Sequence, residues 1–267
     1  MINQRIFSAN VGDSSVGNAG PDAIEQDIDN LLANDQELLG QINDLDAGVV
    51  AHKKTARFVI GTSTAGWTAA DCDYLCDGTA DQTEINAAIT ALPATGGEVV
   101  ILDGTYNITA KINVAKNNVS IRGNGNATIL KRMYDSSTEE GVITLTSRSG
   151  CKIADLQVDG NKTSYTNSNN YGIYLNTSSN NTITGNTCNN NGTGIYLTSS
   201  SNNTVTGNTC IRGTGLTTDY TASQHTIQLS GTGNSYNLIA MNNCMGKAVT
   251  NGGGTGNTLV NNKFDAT

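Results

Sequence analysis

The stretch Gly172-Ile173-Tyr174-Leu175-Asn176-Thr177-Ser178-Ser179-Asn180-Asn181-Thr182-Ile183-Thr184-Gly185-Asn186-Thr187-Cys188 recurs 22 residues later as Gly194-Ile195-Tyr196-Leu197-Thr198-Ser199-Ser200-Ser201-Asn202-Asn203-Thr204-Val205-Thr206-Gly207-Asn208-Thr209-Cys210. Weaker copies flank the pair. Ile143 and Leu145, then Ile227 and Leu229, repeat the Ile-x-Leu spacing. Ile153, Ile183, Val205, Ile239 and Leu259 line up as one apolar column, and Val158, Cys188, Cys210, Cys244 and Phe264 as another. Asn186, Asn208, Asn242 and Asn262 share one repeat position. Self-similarity of this kind marks a solenoid, whose units complete their backbone pairing and cover their apolar faces only by stacking. Short strands with alternating inward and outward residues, stacked about 4.8 Å apart, fit the period. The expectation is an all-β fold, a parallel β-helix, over the carboxy-terminal two-thirds.

Asparagine is the outlier of the composition, with 35 residues, 22 of them in 161–267. A repeated turn selects Asn, which tolerates left-handed backbone geometry and bonds neighbouring backbone. Stacked Asn side chains also bond along a ladder, so they read as structure rather than as ligands. Charged residues make up 14% of the chain and the net charge is −8. That balance argues against a nucleic-acid partner, whose phosphates need a basic patch. No apolar stretch follows Met1-Ile2-Asn3-Gln4-Arg5, so neither a signal peptide nor membrane insertion is expected. Three of the six cysteines fall on the repeat and read as core. Cys72 and Cys76 form a CxxxC pair with no His or further Cys in adjacent sequence. No metal and no cofactor is therefore expected.

Residues 1–20 are polar and Gly-rich and read as an N-terminal arm. In 21–50, Ile24, Ile28, Leu31, Asp35, Leu38, Ile42, Leu45 and Val49 alternate spacings of 4 and 3. That is the heptad seam of a coiled-coil oligomerisation helix. Ile in one seam position with Leu in the other favours a dimer. Residues 51–80 are a transition segment that includes a short strand at Arg57–Ile60. Asp81-Gln82-Thr83-Glu84 spells a capping box and opens a helix over 81–92, the start of a β-helix spanning 81–267. Pro93 and Gly96-Gly97 end the helix, and Glu98-Val99-Val100-Ile101-Leu102 follows as a buried strand.

Asp81–Leu92, Ala94–Ile101 and Gly104-Thr105-Tyr106-Asn107-Ile108 together resemble the entry motif of pectate-lyase-like right-handed parallel β-helices. Asn118–Gly125 looks like that family's next rung. The Asn-Asn-Thr-Ile-Thr-Gly-Asn-Thr copies look like repeats of its carbohydrate-binding and sugar-hydrolase relatives. Ala23–Leu31 and Ala56–Asp81 are similar to segments ahead of β-helices in phage and prophage tail proteins. The resemblance implies a tail fibre or tail spike. Its arm docks to other tail or particle proteins, its coiled coil makes a homotrimer, and its β-helix binds host-surface polysaccharide. It also implies a virion location after synthesis in the bacterial cytoplasm. The trimer is the expectation, since packing of the β-helices can override a short seam, and the dimer is the alternative. The final rung, with its apolar end, is expected to be covered by a partner.

Two rungs exceed the repeat. Ile143 to Ile173 is 30 residues and Ile195 to Ile227 is 32. Both inserts fall in the same loop, and inserts at one rung position stack on one face. Lys162, Tyr165, Arg212, Tyr220 and His225 would line a groove there. Tyr174 and Tyr196 are expected to stand outward as a small aromatic ladder. All seven are glycan-binding candidates. The alternative is a depolymerase, a lyase or glycoside hydrolase acting at loops 159–168 and 211–222. Its acid and base would come from Asp155, Asp159 and Asp219, since glycoside hydrolysis needs two carboxylates on one face.

Overall fold

A computed structural model of the chain describes residues 30–39, 56–212 and 224–265. The chain divides into two compact units, Met1–Lys54 and Thr55–Thr267.

In the first unit, residues 30–39 form helix α1. Leu31 and Leu38 of the heptad seam are 51% and 56% exposed, and Leu32 and Leu39 beside them are 54% and 58% exposed. The other apolar seam positions, Ile24, Ile28, Ile42, Leu45 and Val49, lie outside the described residues, as does the arm.

The second unit is a parallel solenoid. It opens with β1 (Arg57–Thr62) and β2 (Tyr74–Cys76), followed by helix α2 (Gln82–Ala91). The first rung is β3 (Gly97–Ile101), β4 (Gly104–Ile108) and β5 (Ile112–Asn113). The second is the long bent β6 (Val119–Arg132) with β7 (Glu140–Thr146), and the third is bent β8 (Lys152–Asp159) with β9 (Asn170–Asn176). Then come β10 (Thr182–Thr184), β11 (Thr187–Asn191) and β12 (Thr193–Thr198), and next β13 (Thr204–Thr206), β14 (Thr209–Arg212) and β15 (His225–Ser230). The last described strands are β16 (Leu238–Ala240), β17 (Asn243–Met245), β18 (Thr250–Asn251), β19 (Thr258–Val260) and β20 (Lys263–Asp265). β1 pairs in parallel with β3, so the strand expected at Arg57–Ile60 already belongs to the solenoid.

Stacking follows the sequence columns. Ile121, Ile153, Ile183, Val205, Ile239 and Leu259 are successive Cα partners on the first face. Leu130, Val158, Cys188, Cys210, Cys244 and Phe264 are partners on the second. Ile112, Ile143, Ile173, Ile195 and Ile227 stack on the third. Apart from the terminal Leu259 and Phe264, these side chains are fully buried. Each fully buried Ile, Leu or Val is worth roughly 1.5–3 kcal/mol of hydrophobic stabilisation. Cys188, Cys210 and Cys244 are free thiols within this core.

The corners are held by side-chain amides. Asn186, Asn208 and Asn242 donate Nδ2 to the Oδ1 of Asn208, Asn242 and Asn262 at 3.0, 3.0 and 2.9 Å. Those three oxygens also accept the backbone amide of the Asn one rung earlier. Asn181, Asn203, Asn237 and Asn257 form a second ladder. A third uses Ser178, Ser200 and Asn234, each accepting a backbone amide from the rung before.

One expectation needs correction. Asp81 precedes α2, but its side chain makes no cap bond to the helix, because its oxygens are taken by the amides of Gly78 and Asn107. The CxxxC cysteines are free thiols: Cys72 donates to the Thr68 carbonyl and Cys76 to that of Asp81.

Asn208→Ala removes the acceptor of two Asn186 donors and the donor to the Ile183 carbonyl. It should lower the unfolding free energy by on the order of 3 kcal/mol. Thr206→Ala, at a partly exposed position one step from the core, should change it by less than about 0.5 kcal/mol. Urea denaturation reads both, and a small shift for Asn208→Ala would deny the ladder its role.

Candidate functional site

The solenoid widens at one corner, between its second and third faces. There β11 passes to β12 through Gly192 alone, whereas residues 133–139 separate β6 from β7 and residues 160–169 separate β8 from β9. A further insert separates β14 from β15, and its residues 213–223 lie outside the described set. Sequence spacing found the second and third inserts and missed 133–139, because the rung before it carries no recognisable repeat.

The two described inserts are laced into one wall. Asp135 Oδ1 accepts the Asn167 amide at 3.1 Å and Asn170 Nδ2 at 2.7 Å, while Asn170 Oδ1 accepts the Ser136 amide at 3.0 Å. Asn161 donates to the Arg132 carbonyl and Asn169 to that of Ser137. Beneath the wall Arg132 is fully buried. Its Nη2 donates to the carbonyls of Glu140 and Tyr171 at 3.2 and 2.8 Å, and its guanidinium lies 4.3 Å from the Tyr134 ring centre. A buried cation of this kind ties together main-chain oxygens that strands do not reach.

Next to the wall, on the outer side of the third face, is a tyrosine cluster separate from the core. Tyr171 stacks on Tyr196 with centroids 4.2 Å apart and meets Tyr174 edge-on at 5.5 Å. Glu139, from the first insert, spans two rungs. Its Oε2 accepts the Tyr174 hydroxyl at 3.0 Å and its Oε1 that of Tyr196 at 3.1 Å. The aromatic pair at 174 and 196 therefore exists, but not as an open ladder. The rings are about 5% exposed, covered by one another and by Tyr171, and their hydroxyls are bonded to a carboxylate. Neither Tyr171 nor Glu139 was singled out from sequence, since neither recurs in the repeat.

His225 opens β15 in register with Thr193, and Thr193 with Tyr171. Its amide donates to the Gly192 carbonyl at 3.1 Å, and its ring contacts Thr250 Oγ1 at 2.9 Å and Lys247 Nζ at 3.4 Å. Lys162 and Tyr165 lie half-buried in the second insert. Asp159 serves as a turn former, its Oδ1 accepting the Asn161 amide at 2.8 Å and Asn190 Nδ2 at 3.0 Å. Asp155 stands at a different corner, with φ of +55° at the register position filled by Gly185 and Gly207 in the next rungs. These two candidate carboxylates are thus not brought to one site. Asp219 and Tyr220 lie outside the described residues, as does the Arg212 side chain. Among the described residues the corner assembles a hydrogen-bonded array of amides, tyrosine hydroxyls, the carboxylates of Asp135, Glu139 and Asp159, and the His225 imidazole.

The model of the right-handed β-helix region matches residues 98–265. The chain belongs to that family. Among solved structures it is similar to ORF18 of Geobacillus virus E2, at 19% identity and TM-score 0.55, over 85% of this chain and 44% of that one. A protein from Parabacteroides merdae with a provisional glycosyl hydrolase assignment matches at 16% identity and TM-score 0.55, over 68% and 89%. An iota-carrageenase in complex with iota-carrageenan fragments matches at 17% identity and TM-score 0.51, over 72% and 43%. The chain spans less than half the length of the viral protein and of the carrageenase. These likenesses establish the fold. No curated protein matches significantly. Among the described residues no helix is long and apolar enough to cross a membrane.

Burial pushes the phenols of Tyr171, Tyr174 and Tyr196 up, with the Glu139 carboxylate adding to the shift. Burial likewise raises Tyr106 and Tyr134. A phenol raised in the folded state keeps its proton while the unfolded chain loses its own. Its stabilising contribution is complete below the unfolded value of about 10 and falls as pH rises above it. Stability measured by denaturation should therefore be insensitive to these groups below pH of about 10 and decline above it. Spectrophotometric titration should show these phenols ionising only as the fold is lost. Ordinary titration of all the tyrosines in the folded chain would refute the burial.

Proposed function

We propose that the chain is a phage or prophage tail fibre or tail spike-like structural protein. It docks to its particle by residues 1–20, assembles as a homotrimer through the heptads of 21–50, and presents the β-helix corner to host-surface glycan. The observation that carries this reading is the order of parts: a helix with unburied seam leucines, then a solenoid whose inserts gather on one corner. The viral protein among its structural neighbours supports a virion setting, and the iota-carrageenase, by its name, supports a polysaccharide as the molecule met there. Exposed Met241 and Met245 support contact with a further protein surface. Binding without cleavage is favoured because Asp159 is held in a turn and Asp155 stands at another corner.

Three copies of the 27.8 kDa chain are expected by mass measurement in solution. A dimer would show that the seam composition governs assembly. The full chain should retain host surface polysaccharide without releasing reducing or unsaturated ends. Paired Lys162→Ala and Tyr165→Ala changes should weaken retention by about tenfold, the loss of one or two net hydrogen bonds. Fragment release abolished by Asp159→Asn or Asp219→Asn would replace this reading with the depolymerase.

A further inference from the structure

Asp81-Gln82-Thr83-Glu84 has the spelling of a capping box and is not used as one. The Asp81 amide, which Glu84 would accept in such a box, donates to the Asn107 carbonyl at 3.0 Å. Asp81 itself is fully buried, with Oδ1 on the Gly78 amide at 2.8 Å and Oδ2 on the Asn107 amide at 2.6 Å. Glu84, in the first turn of α2, is partly exposed as a residue, yet its Oε2 is buried and has no partner. Beside them is Cys76, fully buried at the end of β2. The Cys76 sulfur and one carboxylate oxygen each from Asp81 and Glu84 all lie within 4.8 Å of one another.

This is an unfavourable arrangement for bare side chains. Two carboxylates and a thiol share a largely dry space, and one oxygen has nothing to accept from. The surroundings disfavour anions: burial and the Asp81 and Glu84 charges push the Cys76 thiol up, and burial raises Asp81 despite its amide bonds.

We propose that Cys76, Asp81 and Glu84 bind one divalent transition-metal cation of the Zn²⁺ type, tying the first turn of α2 to the end of β2. Zn²⁺ takes sulfur at about 2.3 Å and carboxylate oxygen at about 2.0–2.2 Å in tetrahedral geometry. Ligand atoms within 4.8 Å of one another reach that geometry by small side-chain movements. A sulfur in the set selects against Ca²⁺ and Mg²⁺, which take oxygen ligands. The Gly78 and Asn107 amides hold the Asp81 carboxylate in orientation, as outer-shell donors do at metal centres. The thiol proton leaves to solvent as the metal–sulfur bond forms. Three protein ligands leave the fourth position to water. Cys72 is not among the clustered ligand atoms, and Cys76 gives up its donation to the Asp81 carbonyl as its proton leaves.

The test uses the full chain purified without chelator, loaded with Co²⁺ as a spectroscopic probe and desalted. One Co²⁺ per chain and a thiolate-to-cobalt charge-transfer absorption are expected. Zn²⁺ should displace the cobalt and Ca²⁺ should not. Cys76→Ser should abolish the absorption, Cys72→Ser should leave it unchanged, and Glu84→Gln should weaken cobalt affinity by about tenfold or more. Circular dichroism of each variant separates a lost site from a lost fold, and Glu84→Gln carries the test should Cys76→Ser fail to fold. A folded wild-type chain that retains no cobalt overturns the proposal. So does an absorption that survives Cys76→Ser in a folded variant, or one unmoved by Glu84→Gln.

Discussion

Every rung of the solenoid turns at corners whose backbone amides cannot pair along the strands, and a buried amide left unpaired is expensive. Asparagine answers this because it is both donor and acceptor, and a stack of identical residues satisfies itself. Each Oδ1 takes a main-chain amide and a side-chain amide from the rung before, while Nδ2 reaches a carbonyl such as that of Ile153 or Ile183. The ladder begins where its chemistry begins. Asn186 Oδ1 has no donor, because the rung above carries Leu156 at that position. The apolar columns can then be Ile, Val or Cys with little consequence for register, whereas the corner residue cannot change without orphaning its neighbours.

That constraint also decides where the molecule can vary. A residue inserted within a strand would shift its register and turn inward side chains outward. The passage from the second face to the third carries no asparagine ladder at most rungs, and three rungs lengthen there. Lengthening removes main-chain partners, which Arg132 and Asn170 restore from the side. The wall is therefore ordered by a few polar side chains specific to it. It places Glu139 across two rungs, where no residue of the repeat could reach.

The legibility of the sequence follows the same division. The columns at Ile183 and Cys188 were readable because stacking imposes identity at fixed spacing, and the structure pairs them as expected. The first rungs were less so, since β6 runs 14 residues through a corner that later rungs make with a Gly-Asn turn. Tyr174 and Tyr196 were placed on the correct side of their strands. Their burial was not readable, because it depends on Tyr171 and Glu139, which come from outside the period. Asp81 and Glu84 misled for a related reason: local spelling promised a cap, and a tertiary contact with Asn107 took the Asp81 groups that the cap needed.

Periodicity is thus informative about what must stay the same and silent about what is free to differ. The outward threonines at 182, 184, 204 and 206 are where a solenoid tolerates change, and in the rung of β16 their register partners become Leu238 and Ala240. Met241 occupies the left-handed corner position held by Gly185 and Gly207, with φ of +55°. A side chain there is strained by of order 1 kcal/mol or more. Met241 accepts that strain while remaining 65% exposed, so burial within this chain does not account for it. A glycine would fill the corner without strain. The same corner column carries Asp155 at its start and Asn261 in the rung after Met241, both with positive φ, so the turn imposes its backbone on whatever residue stands there and glycine is the least strained choice rather than a requirement.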